Sequence, residues 1–252
     1  MEDAGTIQAG IFDAHGLPWH ACEVSLSAQP TALPKNYKTP MLQYHTVPVT
    51  AFQQNCSLVW CDQTMDAAVI DPGGDIEQIE WEIERLGLNL KAIWITHAHI
   101  DHAGGTSELA AKHQLPIIGP QQGDQFWIDG LPQQGAMFGF PHADPFVPTR
   151  WLQDGDTVTI GHETLNVRHC PGHTPGHVVF HAPQIDRAFV GDVLFAGSIG
   201  RTDFPQGNHQ QLIDSIVQRL WPMGDQTVFI PGHGPESSFG RERKMNPYVS
   251  GT

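Results

Sequence analysis

Four potential metal ligands crowd into six positions at His97-Ala98-His99-Ile100-Asp101-His102, and no other stretch of the chain restricts its fold and chemistry as strongly. Just before them, Lys91-Ala92-Ile93-Trp94-Ile95-Thr96 is a β-branched and aromatic run of the kind that forms a buried strand, so the ligands leave a strand's end. Imidazole and carboxylate together suit Zn²⁺ or Fe²⁺, and a loop in this position can aim His97 and His99 one way and Asp101 and His102 another. That arrangement suits two metals. Ala103 to Gln114 then carries Ala and Leu at helical spacing, and Gly104-Gly105 lets the backbone pass close to what the ligands hold.

The decapeptide Thr96 to Gly105 resembles the His-x-His-x-Asp-His signature of the metallo-β-lactamase-fold hydrolases. The resemblance implies three further ligands in a fixed order downstream, and Pro171-Gly172-His173, Gly191-Asp192 and Pro231-Gly232-His233 fill those places. By residue-by-residue match, one metal takes His97, His99 and His173, the other takes Asp101, His102 and His233, and Asp192 bridges them. The implied cofactor is a pair of divalent ions, Zn²⁺ in the first place, with Fe²⁺ and Mn²⁺ accepted by the same ligands. The implied chemistry is attack by a metal-bridging hydroxide, since metals lower the pKa of water from about 15.7 towards 7. Asp101 is the expected catalytic carboxylate, orienting that hydroxide.

Composition narrows the partners. A chain of 252 residues with 40% apolar content can bury a substantial core. Its 13 basic residues against 27 acidic ones give a formal charge of -14, which disfavours nucleic acid or an anionic membrane as the main partner. Bound cations still make a site locally positive, so a small anionic substrate fits. Cys22, Cys56, Cys61 and Cys170 form no Cys-x-x-Cys pair and read as free thiols of a reducing compartment. With no export-like N-terminus and no run of about 18 apolar residues, the expectation is a cytoplasmic protein.

Taken in order, residues 1 to 40 hold Pro18, Pro30, Pro34 and Pro40 without a sustained period and read as a poorly ordered extension. His15, His20 and Cys22 fit no compact ligand pattern. From Met41, strands are expected at Leu42 to Val49, Cys56 to Cys61 and Ala67 to Ile70, then a turn at Asp71-Pro72-Gly73-Gly74 in which Asp71 turns the chain or supports a ligand. A helix is expected at Ile76 to Leu86. Leu115 to Gly119 reads as a short strand, and Gln121 to Pro148 as a long irregular segment whose Phe126, Trp127, Phe138, Phe140 and Phe146 either wall a pocket or pack beneath a loop. Strands follow at Thr157 to Ile160, Glu163 to His169, Gly176 to His181, Arg187 to Val190 and Thr227 to Ile230, with helices at Asn208 to Leu220 and Glu236 to Met245. The resemblance implies the α/β architecture that fits this order, an αββα sandwich of two mixed sheets with helices on the outer faces, over residues 41 to 252.

Within the family, the chain most resembles the short glyoxalase II-like hydroxyacylglutathione hydrolases, on Ala103-Gly104-Gly105 and Pro231-Gly232-His233-Gly234. That branch implies hydrolysis of a glutathione-linked S-(2-hydroxyacyl) thioester, a small-molecule substrate. Only 19 residues follow His233, so the longer family members' C-terminal helical domain, which contacts glutathione, is expected to be absent. Gly200-Arg201-Thr202-Asp203-Phe204 aligns with a family loop carrying a basic and an aromatic contact to glutathione; Arg201 fits the basic place, while Asp203 stands in the aromatic one. Arg201 either grips a substrate carboxylate or forms a structural salt bridge. Arg241, Arg243 and Lys244 are a second basic group, for substrate or as a solvated helix face. His169 and His177 are expected to support ligands rather than bind metal. The same loop also resembles persulfide dioxygenases, which use one Fe²⁺, and another small-molecule metallo-hydrolase is a further alternative.

Overall fold

A computed structural model describes residues 41–140 and 143–251. Residues 1 to 40, with the pattern read from His15, His20 and Cys22, lie outside the described residues.

The first sheet contains β1 (Leu42–Val49), β2 (Gln54–Cys61), β3 (Asp66–Ile70), β4 (Asn89–Trp94) and β5 (Ile117–Ile118) in that spatial order. The first three are antiparallel neighbours, whereas β3, β4 and β5 run parallel, so the sheet is mixed. The parallel pairs need crossovers, supplied by α1 (Ile76–Leu86) and by α2 (Ile100–Ala103) with α3 (Thr106–His113). Next come α4 (Gln125–Asp129) and α5 (Leu131–Phe138). The second sheet uses β6 (Thr157–Ile160), β7 (Glu163–His169), β8 (Val178–Ala182) and β9 (Arg187–Gly191). After a two-residue pair, β10 (Leu194–Phe195) with β11 (Ser198–Ile199), come α6 (His209–Ser215), β12 (Val228–Pro231), β13 (Ser237–Ser238) and α7 (Phe239–Met245). The sheet order is β13-β12-β9-β8-β7-β6, with β12 parallel to β9 and the remaining pairs antiparallel.

The two-residue period of each strand builds the layers. In β3, Ala67 and Val69 face the helical side while Ala68 and Ile70 face the other sheet; in β9, Phe189 faces inward while Ala188 and Val190 face α6. Trp94 of β4 and Phe180 of β8 meet between the sheets with ring centroids 5.5 Å apart. Ile79 and Leu109 close the outer side of the first sheet, and Leu212, Ile216 and Phe239 that of the second. These strands are buried on both faces, which is why they read as continuous apolar runs. The expected αββα sandwich is the observed one.

The structure departs from the sequence reading between Gln121 and Pro148. Instead of an irregular stretch it holds α4 and α5, five and eight residues long, too short for a period to stand out against their Gly, Pro and Gln. Tertiary bonds hold them: the Gln134 side chain accepts from the Ile100 N–H at 3.1 Å and donates to the Trp127 carbonyl at 3.1 Å. Both readings of the aromatics apply, to different residues. Phe126, Trp127 and Phe138 wall a cavity, whereas Phe146 is buried in the core. The helix expected at Ala103 to Gln114 is two, broken at Gly104-Gly105, and the one expected through Leu220 stops being regular at Ser215 and ends in a π turn, Ile216–Leu220.

Candidate metal centre

The seven residues singled out in the sequence meet at one edge of the sandwich, where strand ends from both sheets adjoin. His97, His99, Asp101 and His102 follow β4, Asp192 follows β9, His233 follows β12, and His173 lies in the turn between β7 and β8. Backbone bonds hold these ends in register: Val178 N–H donates to the Thr96 carbonyl at 2.8 Å, and Gly232 N–H to the Gly191 carbonyl at 2.8 Å. A Cβ at Gly232 would overlap the Asp192 carboxylate, so the His233 loop reaches the site only because that residue has no side chain.

Two groups of three result. His97, His99 and His173 present nitrogens within 4.8 Å of one another, as do the donor atoms of Asp101, His102 and His233. Asp192 lies between them, Oδ1 being 3.3 Å from His102 Nε2 and Oδ2 3.5 Å from His173 Nε2 and 3.8 Å from His233 Nε2. Nε2 of His97, His99 and His102 and Oδ1 of Asp192 are buried without a hydrogen bond. Such orphans cost roughly 1–3 kcal/mol each when nothing meets them. Nitrogen and oxygen donors grouped this way fit divalent cations, which would meet His97 Nε2, His102 Nε2 and Asp192 Oδ1, while in His99 it is Nδ1 that lies 2.9 Å from His173 Nε2.

In His173 and His233 the other ring nitrogen is tied to a backbone carbonyl, which fixes the tautomer. His173 Nδ1 donates to the Arg201 carbonyl at 2.7 Å and His233 Nδ1 to the Phe52 carbonyl at 3.2 Å, so each Nε2 faces the site, where that of His173 lies 2.9 Å from His99 Nδ1 and that of His233 3.0 Å from Asp101 Oδ2. His102 Nδ1 faces Asp71 Oδ2 at 2.9 Å. Asp71 also accepts from the Thr96 N–H at 2.7 Å and hydroxyl at 2.5 Å, so it both turns the chain and orients His102. His177 binds in neither group: its Nε2 accepts from the Asp192 N–H at 3.0 Å and its ring stacks on His97. His169 donates to the Pro175 carbonyl at 2.8 Å.

Charge follows burial and neighbours. Burial, reinforced by adjacent imidazoles, holds the pKa of His97 and His99 well below the usual histidine value, leaving the neutral rings that metals bind. Burial opposes a charge on His102 too, but Asp192 and Asp101 outweigh it and raise its pKa. Burial likewise opposes ionised Asp192, yet His102, His173 and His233 bring its carboxyl far below the ordinary range.

Sequence reasoning missed Asp124. It is fully buried and accepts from the Ala98 N–H at 3.0 Å, the Thr174 hydroxyl at 2.9 Å and the Gly176 N–H at 2.6 Å, joining the His97/His99 loop to the His173 turn. Nothing in its local sequence signals this, since every partner is at least 26 residues away. In the sequence Phe204 stands out only as part of the Arg201 loop, whereas in the structure its ring lies 4.9 Å from that of His99.

Beside the ligands opens a cavity of about 800 Å³, walled by Phe126, Trp127, Phe138, Phe195 and Phe204. Arg201 lines it but is forked onto Asp203 at 2.7 Å through both Nε and Nη2, and lies 4.1 Å over the Phe204 ring. Arg241, Arg243 and Lys244 sit on α7 and are not among the residues lining it; Arg243 is 3.5 Å from Asp225. Among the described residues, no helix is long and apolar enough to cross a membrane.

The family model described as the Metallo-beta-lactamase superfamily matches residues 49–233, which takes in both groups of candidate ligands. The chain belongs to that superfamily. This metallo-β-lactamase-fold chain is 45% identical over 205 residues to hydroxyacylglutathione hydrolase GloC of Haemophilus influenzae, covering 81% of the chain and 96% of GloC. Among solved structures it resembles BLEG-1 B3 metallo-beta-lactamase, with TM-score 0.76 and 32% identity over 83% of this chain and 100% of that one. It also resembles TTHA1623 in a di-iron-bound form, with TM-score 0.74 and 34% identity over 81% of this chain and 100% of that one. The superfamily and the grouped His and Asp donors make the protein a metallo-hydrolase that uses divalent metal ions.

Proposed function

We propose that this protein hydrolyses thioesters of the S-(2-hydroxyacyl)glutathione type, releasing a hydroxy acid and a thiol. The observation that carries the reading is the pair of three-residue groups sharing Asp192, with four buried donor atoms left without hydrogen bonds. The 45% identity to GloC supports the substrate class. In this reading His97, His99 and His173 would hold one cation and Asp101, His102 and His233 a second, with the Asp192 carboxylate lying between the two groups. Two divalent cations held there would lower the pKa of water and polarise the thioester carbonyl.

The chain's own side chains do the rest. Asp71, the Arg201 carbonyl and the Phe52 carbonyl fix the rings of His102, His173 and His233, so their donor atoms need no rearrangement. Asp101, with Oδ2 3.0 Å from His233 Nε2, orients the attacking water as a hydrogen-bond acceptor. The new bond is C–O and the broken one C–S. A thiol with pKa about 8.5 leaves readily as the thiolate, so the site needs no strong general acid.

The test is metal content per chain of the purified protein, followed by turnover of S-lactoylglutathione, glutathione persulfide and a β-lactam. Two metals per chain with thioester cleavage as the fastest reaction is the expected result. One iron per chain with oxygen uptake on the persulfide, or faster β-lactam opening, would replace the reading.

A further inference from the structure

The cavity beside the candidate ligands is built for apolar bulk rather than for charge. Three of its aromatic residues stand directly on the ligands: Trp127 and Phe204 have ring centroids 4.5 and 4.9 Å from His99, and Phe195 is 6.3 Å from His233. Farther out, Phe52, Met137 and Phe138 are 43%, 69% and 48% exposed, an unusual cost for three large apolar side chains around one opening. Phe52 and Phe138 meet edge to face at 5.9 Å. They are fixed by the site itself, because Phe52 is the residue whose carbonyl holds His233 and α5 is bound to the metal loop through Gln134 and Ile100.

Charged recognition is scarce in comparison. Among the described residues lining the cavity, Arg201 is the only Lys or Arg, and its guanidinium is already forked onto Asp203 and stacked on Phe204. A peptidic thiol carrier with two carboxylates therefore meets one cationic side chain, Arg201, itself paired with Asp203. Burying an apolar group against the walls is the larger source of discrimination this site offers, since one added apolar group in a hydrophobic pocket gives about 10- to 200-fold in kcat/KM.

Resting on the thioester reading, we propose that this site selects its substrate by the acyl group, preferring 2-hydroxyacyl thioesters that bear an aromatic or similarly bulky apolar substituent, seated between Trp127 and Phe138. The thiol carrier contributes little to the choice.

The experiment uses the full-length metal-loaded protein and compares S-mandeloylglutathione with S-lactoylglutathione, two thioesters that differ in phenyl against methyl. The expected kcat/KM ratio is on the order of tenfold or more in favour of mandeloyl. In Phe138→Ala and, separately, Trp127→Ala, the ratio falls towards one whatever happens to the absolute rates. Because a variant can fail to fold, inhibition of the unaltered protein by mandelate against lactate is the second measurement, with mandelate expected to bind on the order of tenfold tighter. Cleavage of both thioesters at rates within threefold, with equal inhibition by the two acids, would overturn the proposal and leave thioester hydrolysis standing. Cleavage of neither thioester would sink the underlying reading and this proposal with it.

Discussion

His102 shows how single residues carry this site. Its ring is fully buried between Asp71 on one nitrogen and Asp192 and Asp101 on the other, and removing one of those carboxylates changes what the ring can hold. Asp101→Ala is expected to lower thioester turnover by about 10²- to 10⁴-fold, the range general acid–base groups supply. It should also leave one metal per chain instead of two, while the metal-free protein keeps its circular dichroism spectrum. Two retained metals with near-normal turnover would refute the role given to Asp101. Asp124 predicts a pH effect. Burial pushes its carboxyl up to about 7 from 3.8, against three donors that favour the ionised form. The folded chain then keeps this proton to about pH 7, whereas the unfolded chain releases it near 3.8, so the group's contribution is complete below pH 4 and is lost as the pH rises through 7. That rise corresponds to about 4 kcal/mol at most. Asp124→Asn, having no proton to lose, should be less destabilising at pH 8 than at pH 5 in metal-free denaturant unfolding; a difference that does not vary with pH would show Asp124 ionised throughout. The seven candidate ligands were legible because they occur in short words, but Asp124 was not, because its meaning lies in which backbone amides the fold brings to it.

Elements meet at this site through contacts that leave no room for a methyl group. The turn after β3 lies against α2 so tightly that a Cβ on Gly73 would overlap the Asp101 carbonyl oxygen. Gly73→Ala is therefore expected to displace the Asp101 segment, costing about 1–3 kcal/mol of stability as overpacking does, together with most of the thioester turnover. Gly87, which ends α1 at φ 66° with nothing near its missing Cβ, supplies the contrast. Gly87→Ala should cost about 1–2 kcal/mol through left-handed strain alone and leave turnover unchanged. Equal turnover in the two variants would show that the β3–α2 contact has no part in the site. Strands and α1 were legible at this scale because β3, β8 and β9 are buried on both faces, β6 and β7 alternate, and α1 has a full helical period, its bounds Ile76–Leu86 coinciding with the sequence reading. The helices walling the cavity were not, since α4 and α5 are specified by Gln134 and its partners rather than by their own periodicity.

At the scale of the whole molecule, a chain of formal charge -14 carries a cleft whose described walls are largely aromatic and apolar and where divalent cations would supply the local positive charge. The family signature made the αββα order readable in advance, while the cavity had to wait for the fold to assemble Phe52, Trp127, Phe195 and Phe204 from four separate segments. All seven candidate ligands, both large sheets and the three apolar layers lie after residue 40, and the family model matches residues 49–233. We therefore expect a chain of residues 41–252 to fold and work without what precedes it. Its thermal midpoint should stay within about 4 °C of the full chain's, which for a protein of this size corresponds to about 1 kcal/mol. Its kcat on S-lactoylglutathione should stay within threefold. The opposing physical argument comes from sequence alone, where Ile11, Phe12, Leu17, Trp19 and Val24 are apolar side chains of the kind a working domain buries. Differential scanning calorimetry and thioester kinetics on the two chains decide between these. An insoluble short chain or a large fall in kcat would make residues 1 to 40 part of the working domain, whereas unchanged values would place the whole of the hydrolase after them.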